Sequence, residues 1–115
     1  MTVLELAQSI GVRVLVPGKP GGGEINRIYA GDRMSDLLEQ ADAETLLVTH
    51  LANPHLAQVA ELMDVPGICL VRGVDPEPGL LAAAAACGTA LLLSPDGLHE
   101  TASRLERSLK GQRGP

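Results

Sequence analysis

TLLVTHLANPHLAQVAELMDVPGICLVRGVDPEPGLLAAAAACGTALLLSPDGLHETASRLERSLK, residues 45–110, carries one pattern three times. Apolar runs at 46–49, 68–71 and 90–93 each lead into a polar, proline-bearing turn and then a helical stretch, predicted at 54–63, 78–87 and 98–109. Short apolar runs bounded by glycine and proline are how strands buried on both faces look. The runs recur about every 22 residues, close to the shortest span for a right-handed crossover between parallel neighbours. The expected fold is α/β: a single-domain, mainly parallel sheet with flanking helices, in which these three strands lie side by side.

Upstream, Val3, Leu6, Ala7 and Ile10 repeat at helical spacing, with Thr2 as the cap and Gly11 as the stop, and predict a helix over 2–10. A β-branched strand is expected at 12–16. The Gly/Pro-rich stretch 17–24, PGKPGGGE, reads as a mobile loop, leading to an extended run over 24–30. Met34, Leu37, Leu38 and Ala41 share one side of a short helix predicted at 33–41, with Asp32 as its N-cap. The all-alanine segment 82–86 allows close approach to the sheet or to a second subunit. Residues 110–115 read as a disordered tail, so 1–115 is expected to be one domain.

With 115 residues, no Phe or Trp and a single tyrosine, the core has to be aliphatic. The formal net charge of −5 and the near absence of aromatic rings argue against nucleic acid, whose readers use basic grooves and stacking platforms. Arg104, Arg107, Lys110 and Arg113 are read as cations complementing a helix dipole. Glu5 interrupts the short apolar opening, and no run reaches the roughly 20 apolar residues of a membrane span. Neither a leader nor a membrane partner is expected, and the cytoplasm is the expected location.

Catalytic motifs are incomplete. In PGKPGGGE, Lys19 precedes the glycines, Pro20 interrupts and no Ser or Thr follows, so a phosphate loop of the GxxxxGK[ST] kind is not formed. His50 and His55 are too far apart in register for a two-histidine zinc helix, and His99 or a carboxylate would have to join them. Ser35 lacks a GxSxG elbow. Of the two cysteines, Cys69 is read as a small core hydrophobe and Cys87 as the end of a helix. The expectation is no enzyme activity, no cofactor, no iron–sulfur cluster and no structural zinc.

The turns carry more. Asn53-Pro54 and Ser94-Pro95 read as N-cap and N1 pairs that aim helix N–H groups at the carboxyl edge of the sheet, where open α/β sheets bind ligands. Asp32, Thr49, His50, Asn53, Arg72, Gly73 and Ser94 are the candidate contacts for a nucleotide or other anion, with Asp96 close by. Arg72 would supply a bidentate fork and His50 a charge at low pH. The competing expectation is that Arg72 pairs with Asp75 or Glu77, or meets another subunit.

Three segments also carry a family resemblance: GDRMSDLL at 31–38, LLVTHLANPHLAQVAELMDVPGICLVRG at 46–73, and LLLSPDGLHETASRL at 91–105. The chain resembles DRTGG domains over about 25–109. Domains of this kind form the N-terminal part of HPr kinase/phosphorylase, sit beside CBS domains in pyrophosphatases, are inserted in some phosphotransacetylases, and occur as short proteins associated with iron-only hydrogenases. The resemblance implies a DRTGG-like fold, similar to the HPr kinase N-terminal domain. It also implies a non-catalytic regulatory or assembly module, homodimeric, that associates with a redox or metabolic enzyme such as an iron-only hydrogenase. A small-ligand sensor for a nucleotide or other anion is the alternative reading.

Overall fold

The computed structural model describes residues 1–20 and 22–112. In chain order the elements are α1 (Val3–Ile10), β1 (Arg13–Val16), β2 (Arg27–Ala30), α2 (Met34–Gln40), β3 (Thr45–Thr49), α3 (His55–Leu62), β4 (Gly67–Leu70), α4 (Pro78–Cys87), β5 (Ala90–Leu93) and α5 (Leu98–Gln112). The sheet order is β1-β5-β4-β3-β2. The last four strands are parallel to one another, and β1 closes the far edge antiparallel to β5.

The three repeated strands are neighbours in a strict register. Leu47, Ile68 and Leu91 form one row across the sheet, and Val48, Cys69 and Leu92 form the next. The first row packs into a core with Leu37, Leu56, Ala60, Leu80 and Ala84 from α2, α3 and α4. The second row belongs to a core with Leu6, Ile10, Leu105 and Leu109 from α1 and α5. Successive crossovers of one hand put α2, α3 and α4 on the same face, and α1 and α5 cover the other. Because both faces are covered, every residue of β3 and β4 is buried, which is why their sequence shows apolar runs instead of alternation.

Close packing at the start of β4 requires a glycine. A Cβ at Gly67 would lie 2.9 Å from both methyl groups of Val3 on α1. Gly67→Ala is expected to cost about 1–3 kcal/mol, as overpacking a well-filled core does. A chemical-denaturation midpoint unchanged from the parent protein would contradict this contact.

Several element ends differ from the sequence expectations. Only Arg27–Ala30 of the run 24–30 is a strand; Glu24 forms an isolated antiparallel bridge to Thr2, and Ile25 is fully buried. The expected N-cap role of Asp32 is not taken up. Arg33 occupies that position without a side-chain cap, because the Asp32 carboxylate is turned toward β3. Asn53 stands one residue ahead of the Pro54 cap, and its Oδ1 still accepts from the N–H of His55 at 3.1 Å. Ser94 does not cap α5, which starts later, at Leu98. Of the alanine segment, Ala84 is buried whereas Ala82, Ala85 and Ala86 are exposed.

Arg104 is more than a dipole partner. Its guanidinium donates to Asp96 Oδ2 and to the Ile10 carbonyl, each at 2.6 Å, and so ties the end of α1 to the turn before α5. Ser9 and Ser108 bond the same two helices through their hydroxyls. The helix α5 includes 110–112, which the sequence reading had placed in the tail; 113–115 lie outside the described residues, as does Gly21 of the glycine-rich loop. That loop is held to the end of α4, where the Lys19 N–H donates to the Gly88 carbonyl at 3.1 Å.

Candidate functional site

Parallel alignment of β3, β4 and β5 brings the turns that follow them to one edge. There the chain after β4 is fastened to the chain after β5: the Arg72 N–H donates to the Asp96 carbonyl at 2.8 Å, and the Gly73 N–H to the Ser94 carbonyl at 3.1 Å. Both residues are left-handed, with φ of 56° at Arg72 and 62° at Gly73. For a non-glycine residue that conformation costs roughly 1–2 kcal/mol. The Arg72 guanidinium lies along Gly97, where a Cβ would stand 3.3 Å from Nη2. Among the described residues no carboxylate pairs with it, so the expected contacts with Asp75 or Glu77 are not made.

His50, at the end of β3, is held by Asp32. One carboxylate oxygen accepts from the His50 backbone N–H at 2.7 Å and from the Thr49 hydroxyl at 3.1 Å; the other lies 2.9 Å from His50 Nδ1. Burial pushes the Asp32 carboxyl up, but the hydrogen bonds from the backbone N–H and ring of His50 and from Thr49 outweigh it and hold the group below the usual range. An ionised carboxylate only accepts, so Nδ1 carries the proton and Nε2 is left for a ligand. Asp32 is largely solvent-accessible, so its contribution to stability is small and screened. Its sign is fixed: with a lowered folded value, the contribution is complete above the unfolded carboxylate range and is lost as pH falls through the folded value.

Asp32→Asn keeps one acceptor for the backbone N–H but opposes Nδ1–H with whichever amide group faces it. The expected result is redistribution of the neutral His50 ring toward the Nε2–H tautomer, read from the imidazole ¹⁵N shifts. An unchanged tautomer would remove Asp32 from this role.

Between these residues lies a groove of about 400 Å³ lined by His50, Arg72, Gly97, Leu98, His99 and Glu100. The Thr101 N–H donates to the Gly97 carbonyl at 2.9 Å, closing the first turn of α5. The N–H groups of Leu98, His99 and Glu100 precede any intrahelical acceptor and have none among the described residues. One guanidinium, two imidazoles and a helix N-terminus face one carboxylate, an arrangement suited to an anion.

Of the seven residues read from the sequence, His50 and Arg72 line the groove and the other five do not. Asp32 and Thr49 hold His50, Asn53 Oδ1 accepts from the His55 N–H ahead of α3, and Gly73 permits the turn after β4. Ser94 is fully buried, bonded to the Thr101 hydroxyl at 2.8 Å and to the Asp96 N–H at 3.2 Å. Asp96 itself is engaged by Arg104. Sequence reasoning did not place Gly97, Leu98 or Glu100 at the site, and considered His99 only as a metal ligand. The signal available was Asp96-Gly97, a turn that delays the helix and turns its first residues toward Arg72.

No group of three or more His, Cys, Asp or Glu side chains among the described residues could hold a metal ion. Cys69 is buried in the sheet, and burial pushes its thiol up to about 12. It therefore stays protonated and serves as packing. No helix among the described residues is long and apolar enough to cross a membrane.

A mostly parallel α/β domain with a charged groove at the carboxyl ends of its strands is thus the class of protein defined by fold and site. The fold is DRTGG-like. The chain aligns with the CBS and DRTGG domains of the regulatory region of Clostridium perfringens pyrophosphatase, a structure complexed with the activator diadenosine tetraphosphate. The TM-score is 0.69 at 8% sequence identity, over 93% of this chain and 46% of that one. No protein-family model and no curated protein matches the sequence.

Proposed function

We propose that the protein is a non-catalytic regulatory domain that senses a small phosphate-bearing anion in the carboxyl-edge groove. The observation that carries this is Arg72. A residue in the left-handed region, where glycine would cost less, holds a guanidinium that, like the neighbouring helix N–H groups, has no hydrogen-bond or ion-pair partner among the described residues. Backbone strain kept at a side chain without a polar partner among the described residues is a reason to look for a ligand. The pyrophosphatase regulatory region, crystallised with a nucleotide activator, lends support through its shared fold. Asp32, Thr49, Asn53, Gly73 and Ser94 act here as scaffold, and His50 and Arg72 as the contacts, joined by the first turn of α5.

The finer reading adds an assembly role: a homodimer in the cytoplasm that docks on a redox or metabolic enzyme such as an iron-only hydrogenase. Its support is the resemblance of segments 31–38, 46–73 and 91–105 to short DRTGG proteins. Light scattering at tens of micromolar that gives the monomer mass would remove the dimer from this proposal.

The ligand test is a thermal-shift panel of inorganic phosphate, pyrophosphate, AMP, ATP and diadenosine tetraphosphate. A true ligand stabilises by RT ln(1 + [L]/Kd), about 2.7 kcal/mol at a hundredfold excess over Kd. The expected result is a saturable rise with at least one phosphate compound. A flat panel, or a rise indifferent to Arg72→Ala, would defeat the proposal.

A further inference from the structure

At the opposite edge of the sheet, where β4 and β5 begin, lies a larger cavity of about 740 Å³. That volume is within the range of small-molecule sites. Val3, Ala60, Val65, Pro66 and Ala90 give it apolar walls, and Lys19, Glu61, Asp64 and Cys87 stand among them. It shares no lining residue with the carboxyl-edge groove.

The electrostatics are the reverse of those at the groove. Both α3 and α4 end here, and the carbonyl end of a helix carries partial negative charge. Gly88, left-handed at φ 72°, caps α4 by donating to the Ala84 and Ala85 carbonyls, which leaves the Ala86 and Cys87 carbonyls without a donor among the described residues. Two carboxylates add to this. Asp64 meets the Lys19 ammonium at 3.9 Å, a contact between two exposed groups and therefore a weak one. Glu61 has no ion pair among the described residues; the Cys87 thiol donates to its Oε2 at 3.1 Å. The hydrogen bond to Glu61 pushes the Cys87 thiol up, as do burial and the carboxylate's charge, with Lys19 acting in the opposite sense; the thiol remains a neutral donor, and Glu61 and Asp64 together face the single Lys19 cation.

From the cavity and its unbalanced charge we infer a second small-molecule site, one that takes an alkylammonium ligand. The ammonium group sits between Glu61 and the carbonyl end of α4, and the aliphatic chain lies along the apolar walls. The Lys19 side chain is the internal competitor. Its stem crosses Gly88 so closely that a Cβ there would stand 2.6 Å from Lys19 Cγ, and its ammonium already occupies part of the negative field. This site is independent of the anion reading, and the two fail separately.

The test is titration of the full chain with 1,5-diaminopentane through the millimolar range, followed by amide NMR, with pentanoate and 1-pentanol as anionic and neutral matches in length. Saturable shifts at the amides of Glu61, Ala86, Gly88 and Ala90 are expected with the diamine alone. Glu61→Gln, at an exposed helix position, should fold as the parent does and bind roughly tenfold more weakly, the loss of one charge-assisted hydrogen bond. Arg72→Ala should bind the diamine unchanged. The inference is overturned if the diamine gives no saturable shift, if Glu61→Gln binds it equally well, or if pentanoate binds here and loses affinity in Lys19→Ala.

Discussion

Arg72→Gly is expected to weaken binding of the phosphate ligand about 100-fold while leaving the melting temperature unchanged or slightly raised. The two halves have separate causes. A planar fork makes two charge-assisted hydrogen bonds to one phosphate, together worth about 3 kcal/mol when lost. The backbone at φ 56° is one that glycine adopts without penalty, so the substitution relieves strain and loses no side-chain pairing among the described residues. The greater freedom of an unfolded glycine offsets part of that relief. Arg72→Lys restores a charge but not the fork, and should recover only part of the affinity. Calorimetric titration with the phosphate compound that gives the largest thermal shift, alongside a melting curve of each variant, reads both quantities. A variant that binds normally, or one that melts well below the parent, would show that the guanidinium has a structural task instead.

Ile68→Ala should cost about 3 kcal/mol, a large share of the roughly 5–15 kcal/mol that stabilises a domain. Ile68 is fully buried on the central strand β4, between Leu47 and Leu91 in register and under the helices of one face. No part of that row can collapse into the void without disturbing three strands. The comparison is Leu62→Ala on α3, where the side chain is 76% exposed and the change should stay within about 0.5 kcal/mol. Urea titrations of both variants, with the slope unchanged from the parent, would separate lost packing from a change in the unfolded state. Equal midpoints for the two would refute the core assignment.

The repeated strands were legible in the sequence because burial on both faces leaves an unmistakable trace: Leu46 to Thr49, Ile68 to Leu70 and Ala90 to Leu93 could hardly be exposed. Strand direction leaves no such trace. The segment 12–16 reads as a strand, yet only the structure shows that Arg13–Val16 runs antiparallel to β5 with an irregularity between Val14 and Val16. Residues whose partners lie far along the chain were misread in favour of local roles. Asp32 looked like a helix cap, although its carboxylate bonds residues 17 and 18 positions away. Arg104 looked like a dipole partner, although it reaches Ile10 across 94 positions. Of the site, His50 and Arg72 were legible as charges at strand ends. Leu98 and Glu100 were not, because their place in the groove comes from backbone geometry that the Asp96-Gly97 turn creates.

The edge position of β1 has a consequence for how the chain acquires its shape. Arg13 pairs with Leu93, so this contact joins residues 80 positions apart. Strands β2 to β5 can assemble through neighbouring crossovers, each closing a short loop, whereas β1 must close one that encompasses most of the molecule, and long-range pairings of that kind are slow to form. Docking of β1 is therefore expected after assembly of the parallel strands, and in a pulse-labelling exchange experiment its amides should gain protection after those of β3 and β4. Simultaneous protection of all five strands would contradict that order.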